Sequence, residues 1–170
     1  FRFSSEANID LESEGLRLRD LMRHGGPDDA GHYYDADHQV FLGHRRLSIL
    51  DLSPAGHQPM DFDDFTIVYN GEICNFLEIR HELMLLGYSF VTRTDTEVIL
   101  KAFDKWGYEC VNRFRGMFAF AIWDKQNKKL IVCRDRLGVK PLHYYCKDGI
   151  FIFASEIKSV SKFPGLDLTI

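Results

Sequence analysis

The chain has 170 residues, 45% hydrophobic, 14% aromatic and 27% charged, enough to close one ordinary domain around a buried core. Its 21 Lys plus Arg against 25 Asp plus Glu leave a formal charge of -4 with both signs interspersed, which argues against a nucleic-acid surface driven by counterion release and against a polybasic membrane patch. The longest stretch without Asp, Glu, Lys or Arg, Leu83 to Thr92, is ten residues, well short of the ~20 that a membrane-spanning helix requires.

From the N-terminus, Leu11, Leu18, Leu21 and Met22 recur at helical spacing over Leu11–His24, and Gly25-Gly26-Pro27 stops that helix, since Pro cannot continue a helix and Gly ends one readily. Val40 to Leu50 and Phe65 to Tyr69 are β-branched and aromatic runs that read as strands, separated by the loop Ser53–Pro59. Phe76, Ile79, Leu83 and Leu86, followed by Gly87, predict a second helix. Thr94-Asp95-Thr96-Glu97 has capping-box spacing ahead of Val98, Ile99, Ala102, Phe103 and Trp106, so a third helix begins there and ends at Gly107. Beyond Arg115 the pattern becomes two hairpins, Met117–Trp123 with Leu130–Arg134 and Leu142–Cys146 with Ile150–Ala154. Strands with so few charges as Met117–Trp123 are expected to be covered on both faces. The class is α+β, with mostly antiparallel strands between helices. No repeat, low-complexity tract or linker divides the chain, so residues 1–170 form one unit.

Cys74, Cys110, Cys133 and Cys146 are spaced neither as paired zinc ligands nor as a dense disulfide framework, so a reducing, cytoplasmic setting is expected. The chain opens on Phe1-Arg2-Phe3 without a signal-peptide core, and further sequence upstream is expected.

Several segments carry two readings. Tyr69-Asn70-Gly71-Glu72 is either a tight turn, for which Asn-Gly is the commonest pair, or an oxyanion site in which the Asn amide and a Gly N–H converge on one oxygen. In Gly43-His44-Arg45-Arg46, strand alternation lets one Arg of the pair face a pocket, either as part of a solvated face or as a bidentate grip on a carboxylate. Asp95 complements a helix dipole or receives a substrate ammonium. Arg134-Asp135-Arg136 reads as an ion-paired turn beneath the sheet. The cysteines read as buried apolar thiols, apart from Cys74, the one internal thiol close in sequence to Asn70 and Gly71.

Taken together, His24-Gly25-Gly26-Pro27-Asp28, Gly43–Asp51, Gly56-His57-Gln58-Pro59-Met60, Val68–Ile73, Thr94–Leu100, Gly116–Ala121, Arg134-Asp135-Arg136 and Ala154-Ser155-Glu156-Ile157-Lys158 strongly resemble the class II glutamine amidotransferase domain of the asparagine synthetase family, in order and spacing from about Leu18 to Val160. The resemblance implies an αββα sandwich of two mostly antiparallel sheets between helices, of the N-terminal-nucleophile hydrolase type. It implies glutamine as substrate, hydrolysed to glutamate and ammonia for transfer to an acceptor carboxylate. Arg46 matches the arginine for the glutamine α-carboxylate, and Leu47 and Ile49 match residues whose backbone lines the same pocket. Asn70 and Gly71 match the oxyanion pair, and Glu72 and Asp95 the groups that receive the α-ammonium. Co-occurrence of the blocks favours the functional reading of each.

The sequence departs from the family at two places. The family nucleophile is the Cys of a Cys-Gly-Ile-type opening, activated by its own α-amine, whereas residue 1 here is Phe. The nucleophile and part of the first strand are therefore expected upstream, and residues 1–170 are expected to be inactive without them. Gly25 stands where the motif His-Arg-Gly-Pro-Asp usually carries Arg. The resemblance further implies no cofactor in this domain, ATP and Mg on a synthetase domain that does not follow Pro164, possible homo-oligomers, and no nucleic-acid or membrane partner. A non-catalytic glutamine-binding or assembly module is the alternative.

Overall fold

The computed structural model describes residues 9–48 and 54–166. Helix α1 (Leu11–Asp20) starts at Asp10, whose carboxylate accepts the Ser13 N–H, and carries acidic residues in its first turn and basic ones in its last. Helical spacing extends to His24, but after Asp20 the backbone tightens into turns in which Met22, Arg23 and Gly25 donate to the carbonyls of Arg19, Asp20 and Met22. Strands β1 (Asp29–Asp35) and β2 (Val40–Arg46) then form an antiparallel hairpin that pairs Asp29 with Arg46. The sequence did not reveal β1, because Gly31 and two terminal aspartates interrupt its pattern. Gly31 is required there: a Cβ would collide with the Gln58 carbonyl. Of the strand expected to reach Leu50, Ile49 and Leu50 lie outside the described residues, as do Phe1–Phe3.

Strands β3 (Met60–Phe62), β4 (Phe65–Ile73), β5 (Gly116–Asp124) and β6 (Lys129–Arg134) make one antiparallel sheet in that order. The tight-turn reading of Tyr69–Glu72 is wrong. β4 runs straight through these residues, pairing Asn70 with Ala119 and Gly71 with Phe118, and ends at Ile73 opposite Gly116. Gly71 is needed not for a turn but for proximity, since a Cβ there would strike the Met117 carbonyl and the Phe118 Cα.

Alternation gives this sheet two faces. Ile67, Tyr69, Ile73, Phe118, Phe120 and Ile122 pack with residues of α2 (Phe76–Leu85) and α3 (Asp95–Trp106), among them Ile79, Leu83, Val98 and Ile99. Val68, Ala121 and Trp123 pack against Val40 and Leu42 of β2. A hairpin of β7 (His143–Lys147) and β8 (Ile150–Ala154) turns at Asp148 and Gly149, both with positive φ, as a two-residue turn needs. A third cluster joins Leu11 and Leu18 of α1 to Phe163, Phe41, Ile150 and Ile152, with α4 (Ile157–Ser161) beside β7 and β8. The layers are α2 and α3, the four-stranded sheet, the two hairpins, then α1 and α4. Among the described residues the second sheet is these two separate hairpins, and no helix is long and apolar enough to cross a membrane.

The start of α3 is more elaborate than a capping box. Thr94 Oγ1 accepts the Glu97 N–H at 3.3 Å. The Glu97 carboxylate does not return the bond to Thr94; it accepts the N–H groups of Val91 and Thr92 and pairs with Lys101 Nζ at 2.5 Å. Lys101 also donates to the Ser89 carbonyl and lies 4.5 Å from the Phe90 ring centroid. These two side chains are only 6% and 7% exposed, and they tie the loop before α3 to the helix. Breaking such a pair leaves an uncompensated buried charge. Glu97→Ala is expected to cost about 3–5 kcal/mol, and the double change Glu97→Leu with Lys101→Met much less; urea denaturation of the chain and its variants checks both.

Candidate active site

Strand β3 covers only the first part of β4, from Phe65 to Ile67. Beyond it, the β4 edge facing away from β5 meets side chains. Gln58 Oε1 accepts the Tyr69 N–H at 2.7 Å, His44 Nε2 donates to the Tyr69 carbonyl at 3.1 Å, and Asp95 Oδ2 accepts the Ile73 N–H at 3.0 Å. In a strand every second residue presents its N–H and C=O to the same side. Gly71, midway between Tyr69 and Ile73, therefore turns its N–H to this edge as well.

The edge forms the wall of a cavity of about 430 Å³. Arg46, Leu47, Asn70, Gly71 and Asp95 all border it, so the structure brings together five of the residues singled out from the sequence. Ile49 lies outside the described residues. Glu72 is exposed and is not among the bordering residues, yet its charge is near enough to the Tyr69 hydroxyl to disfavour ionisation there. Cys74 is likewise exposed; among the described residues no cysteine borders the cavity. No group of three or more His, Cys, Asp or Glu among the described residues is arranged to hold a metal ion.

The two buried charged residues are held differently. Arg46 is 9% exposed, and its guanidinium lies against Gly56, where a Cβ would overlap it. Arg46 is also close enough to Asp29 to favour that carboxylate's charged form; burial opposes the charge of Asp29, but bonds from His57 and the Ala30 N–H hold its pKa below the ordinary value. Arg45 borders the cavity too, contrary to the expectation that one of the pair would be excluded. Its guanidinium is engaged elsewhere, with Nε on the Gly26 carbonyl at 2.9 Å and Nη1 3.7 Å from Asp20.

Asp95, the first residue of α3, is 4% exposed, so it is more than a surface complement to the helix dipole. Burial raises its pKa, opposed by the Tyr69 hydroxyl, which donates to Oδ2 at 2.6 Å, and by the Ile73 N–H.

Sequence reasoning gave no role to His44, Gln58, Tyr69, Ser155 or Lys140, all of which border the cavity. Lys140 arrives on a turn held by side-chain-to-backbone bonds, not by the ion pairs expected of Arg134-Asp135-Arg136. The Asp135 carboxylate accepts the N–H groups of Phe118, Leu137, Val139 and Lys140, while Arg134 donates to the carbonyls of Gly138 and Lys140.

Residues 5–170 match the family model of the glutamine amidotransferase domain. Asparagine synthetase 3 (glutamine-hydrolyzing) of Bacillus subtilis is 40% identical, over 88% of this chain and 25% of that protein. Asparagine synthetase 1 of the same organism is 42% identical, over 89% of this chain and 24% of that protein. The chain thus spans about a quarter of the length of these curated relatives. Among solved structures, the glutamine phosphoribosylpyrophosphate amidotransferase of B. subtilis superposes with a TM-score of 0.71 at 19% identity, over 89% of this chain and 40% of that one. The fold is of the N-terminal-nucleophile hydrolase type.

Enclosure gives His44 a testable property. The Tyr69 carbonyl can only accept, so Nε2 carries the proton; Nδ1 is buried with no hydrogen-bond partner among the described residues, and burial pushes the pKa from 6.5 down to about 4. The unfolded chain therefore binds the proton first on acidification. Stability is intact above pH 6.5 and falls as the pH drops toward 4, by up to about 1.4 kcal/mol per pH unit. Urea denaturation at a series of pH values checks this, and His44→Gln is expected to remove that part of the slope.

Proposed function

This chain belongs to the glutamine amidotransferase domain family, and we propose that it is the glutamine-hydrolysing domain of an asparagine-synthetase-like amidotransferase. The observation that carries the reading is one cavity bordered by buried Arg46, buried Asp95 and, on strand β4, Asn70 and Gly71. A free amino acid offers a carboxylate, an ammonium and, in glutamine, a side-chain amide. Arg46 takes the α-carboxylate through its planar fork, with Leu47 alongside, and the family resemblance assigns Ile49 to the same end of the ligand. Asp95 takes the α-ammonium, with Glu72 adding negative charge nearby.

The side-chain amide then lies against Asn70 and Gly71. Attack by a thiolate on the amide carbon makes a tetrahedral intermediate, whose oxyanion receives the Asn70 Nδ2–H and the Gly71 N–H. Collapse, with the proton that the α-amine took from the thiol passed to the nitrogen, expels ammonia and leaves a thioester, which water cleaves to glutamate and the free thiol. We assign the thiol to a Cys-Gly-Ile-type opening upstream of Phe1. Ammonia would pass to an activated carboxylate, aspartate or a sugar acid, on an ATP- and Mg-using synthetase domain. The lengths of the relatives support such a domain. Four unpaired cysteines fit a reducing cytoplasmic setting.

The alternative reading is a glutamine-binding or assembly module without hydrolysis. Ammonia release by the full-length protein with its native N-terminus separates the two: release supports the enzyme, and glutamine binding without release supports the module. In that protein Asn70→Ala is expected to lower kcat about 100-fold or more with little change in glutamine affinity. Arg46→Ala is expected to weaken glutamine binding about 100-fold. Normal turnover in the Asn70 variant overturns the oxyanion assignment.

The raised pKa of Asp95 sets the pH dependence. Its carboxylate must be ionised to hold an ammonium, so on acidification glutamine affinity is expected to fall at a higher pH than an ordinary aspartate would allow. Isothermal titration across pH checks this, and Asp95→Asn should bind weakly without that acid limb.

A further inference from the structure

We propose that Ser155 is a positioning residue for the Asn70 amide, an inference that rests on the oxyanion reading of Asn70. Asn70 Nδ2 donates to Ser155 Oγ at 3.3 Å, a link between β4 and the segment that follows β8. Both residues border the cavity. An asparagine side chain on a cavity wall has two rotatable bonds, and an oxyanion donor is effective only when it is aimed before the charge develops. The amide nitrogen carries two hydrogens. One is engaged by Ser155, which limits rotation of the amide and leaves the other for the ligand.

Ser155 is itself held from both sides. Ala154, its predecessor, is buried and paired with His143 in the β7–β8 hairpin. Glu156, its successor, is the N-cap residue of α4, and its carboxylate meets His24 Nε2 at 3.0 Å and Lys158 Nζ at 2.9 Å. The turn after α1 and the Ala154–Lys158 block, to which the hydrolysis reading gives no task, thus converge on the residue that holds the Asn70 amide.

Steady-state glutamine hydrolysis by the full-length protein tests this. Ser155→Ala is expected to lower kcat about tenfold, the kinetic equivalent of one modest hydrogen bond, with KM for glutamine nearly unchanged. Ser155→Thr, which keeps the hydroxyl, should recover most of the loss. In the Asn70→Ala background, Ser155→Ala should have no further effect, because its action runs through the missing amide. Unchanged kcat in Ser155→Ala overturns the proposal, as does a full additional loss in the Asn70→Ala background, which would mean that Ser155 acts on substrate directly or on the fold. If Ser155→Ala does not fold, Ser155→Cys, with a weaker acceptor of similar size, is read by the same criteria. If Asn70→Ala alone leaves kcat intact, the oxyanion reading itself fails; if it lowers kcat while Ser155→Ala does not, only the positioning role fails.

Discussion

The constraint on which the site depends is the edge of β4 between Tyr69 and Ile73, which no other strand pairs among the described residues. A strand edge presents N–H and C=O groups that must be satisfied, and strand β3 stops pairing at Ile67. The protein answers with side chains from three separate segments: Gln58, His44 and Asp95. Each bond also places a residue at the cavity wall. The edge therefore both recruits the surrounding elements and keeps the Gly71 N–H directed toward the cavity. A longer β3 would satisfy the same backbone groups and abolish the site.

The helix that brings Asp95 is fixed by comparable means. Its first residue is buried, so α3 must begin at a set height relative to the sheet, and Tyr69 and Ile73 bind the carboxylate from β4. On the other side, Glu97 gathers the N–H groups of the preceding loop and Lys101 neutralises Glu97. The buried ion pair contributes a defined position more than stability, since desolvation offsets most of its Coulomb gain. The acid that binds the sheet edge and the acid that orders the loop sit two positions apart in one motif.

Much of the fold could be read from the sequence, because α2, α3 and the two C-terminal hairpins have strong periodicity bounded by Gly or by turn pairs. What escaped was local and polar. β1 lacks a hydrophobic pattern because it must accommodate the backbone near Gln58 at Gly31. β3 is three residues long and offers no periodicity. Asn70-Gly71 carries the strongest turn signal in the chain and yet lies inside a strand, because the Gly is there for close packing against β5 and not for a positive turn angle. For the site, the family resemblance gave roles to Arg46, Leu47, Asn70, Gly71 and Asp95, whereas Gln58, His44 and Ser155, though inside the same blocks, act on backbone or on another side chain distant in sequence. No spacing rule reports such contacts. Ser155 is linked to Asn70 over 85 residues.

Under the proposed function, the groups bordering the cavity divide between the charged head group of glutamine and its neutral side-chain amide. Arg46 and Asp95 are ionisable and buried, and each can compensate an opposite charge on an amino-acid head group. The Asn70 amide, the Gly71 N–H beside it, the Ser155 hydroxyl bonded to Asn70 and His44, which burial keeps uncharged, are neutral. A full positive charge at Asn70 would hold a carboxylate product as firmly as it would assist the reaction. Neutral dipoles interact weakly with a neutral amide carbonyl and far more strongly with the oxyanion formed from it, so their contribution is concentrated in the transition state. Under the proposed function the charged pair sets affinity for the head group, and the neutral set governs rate.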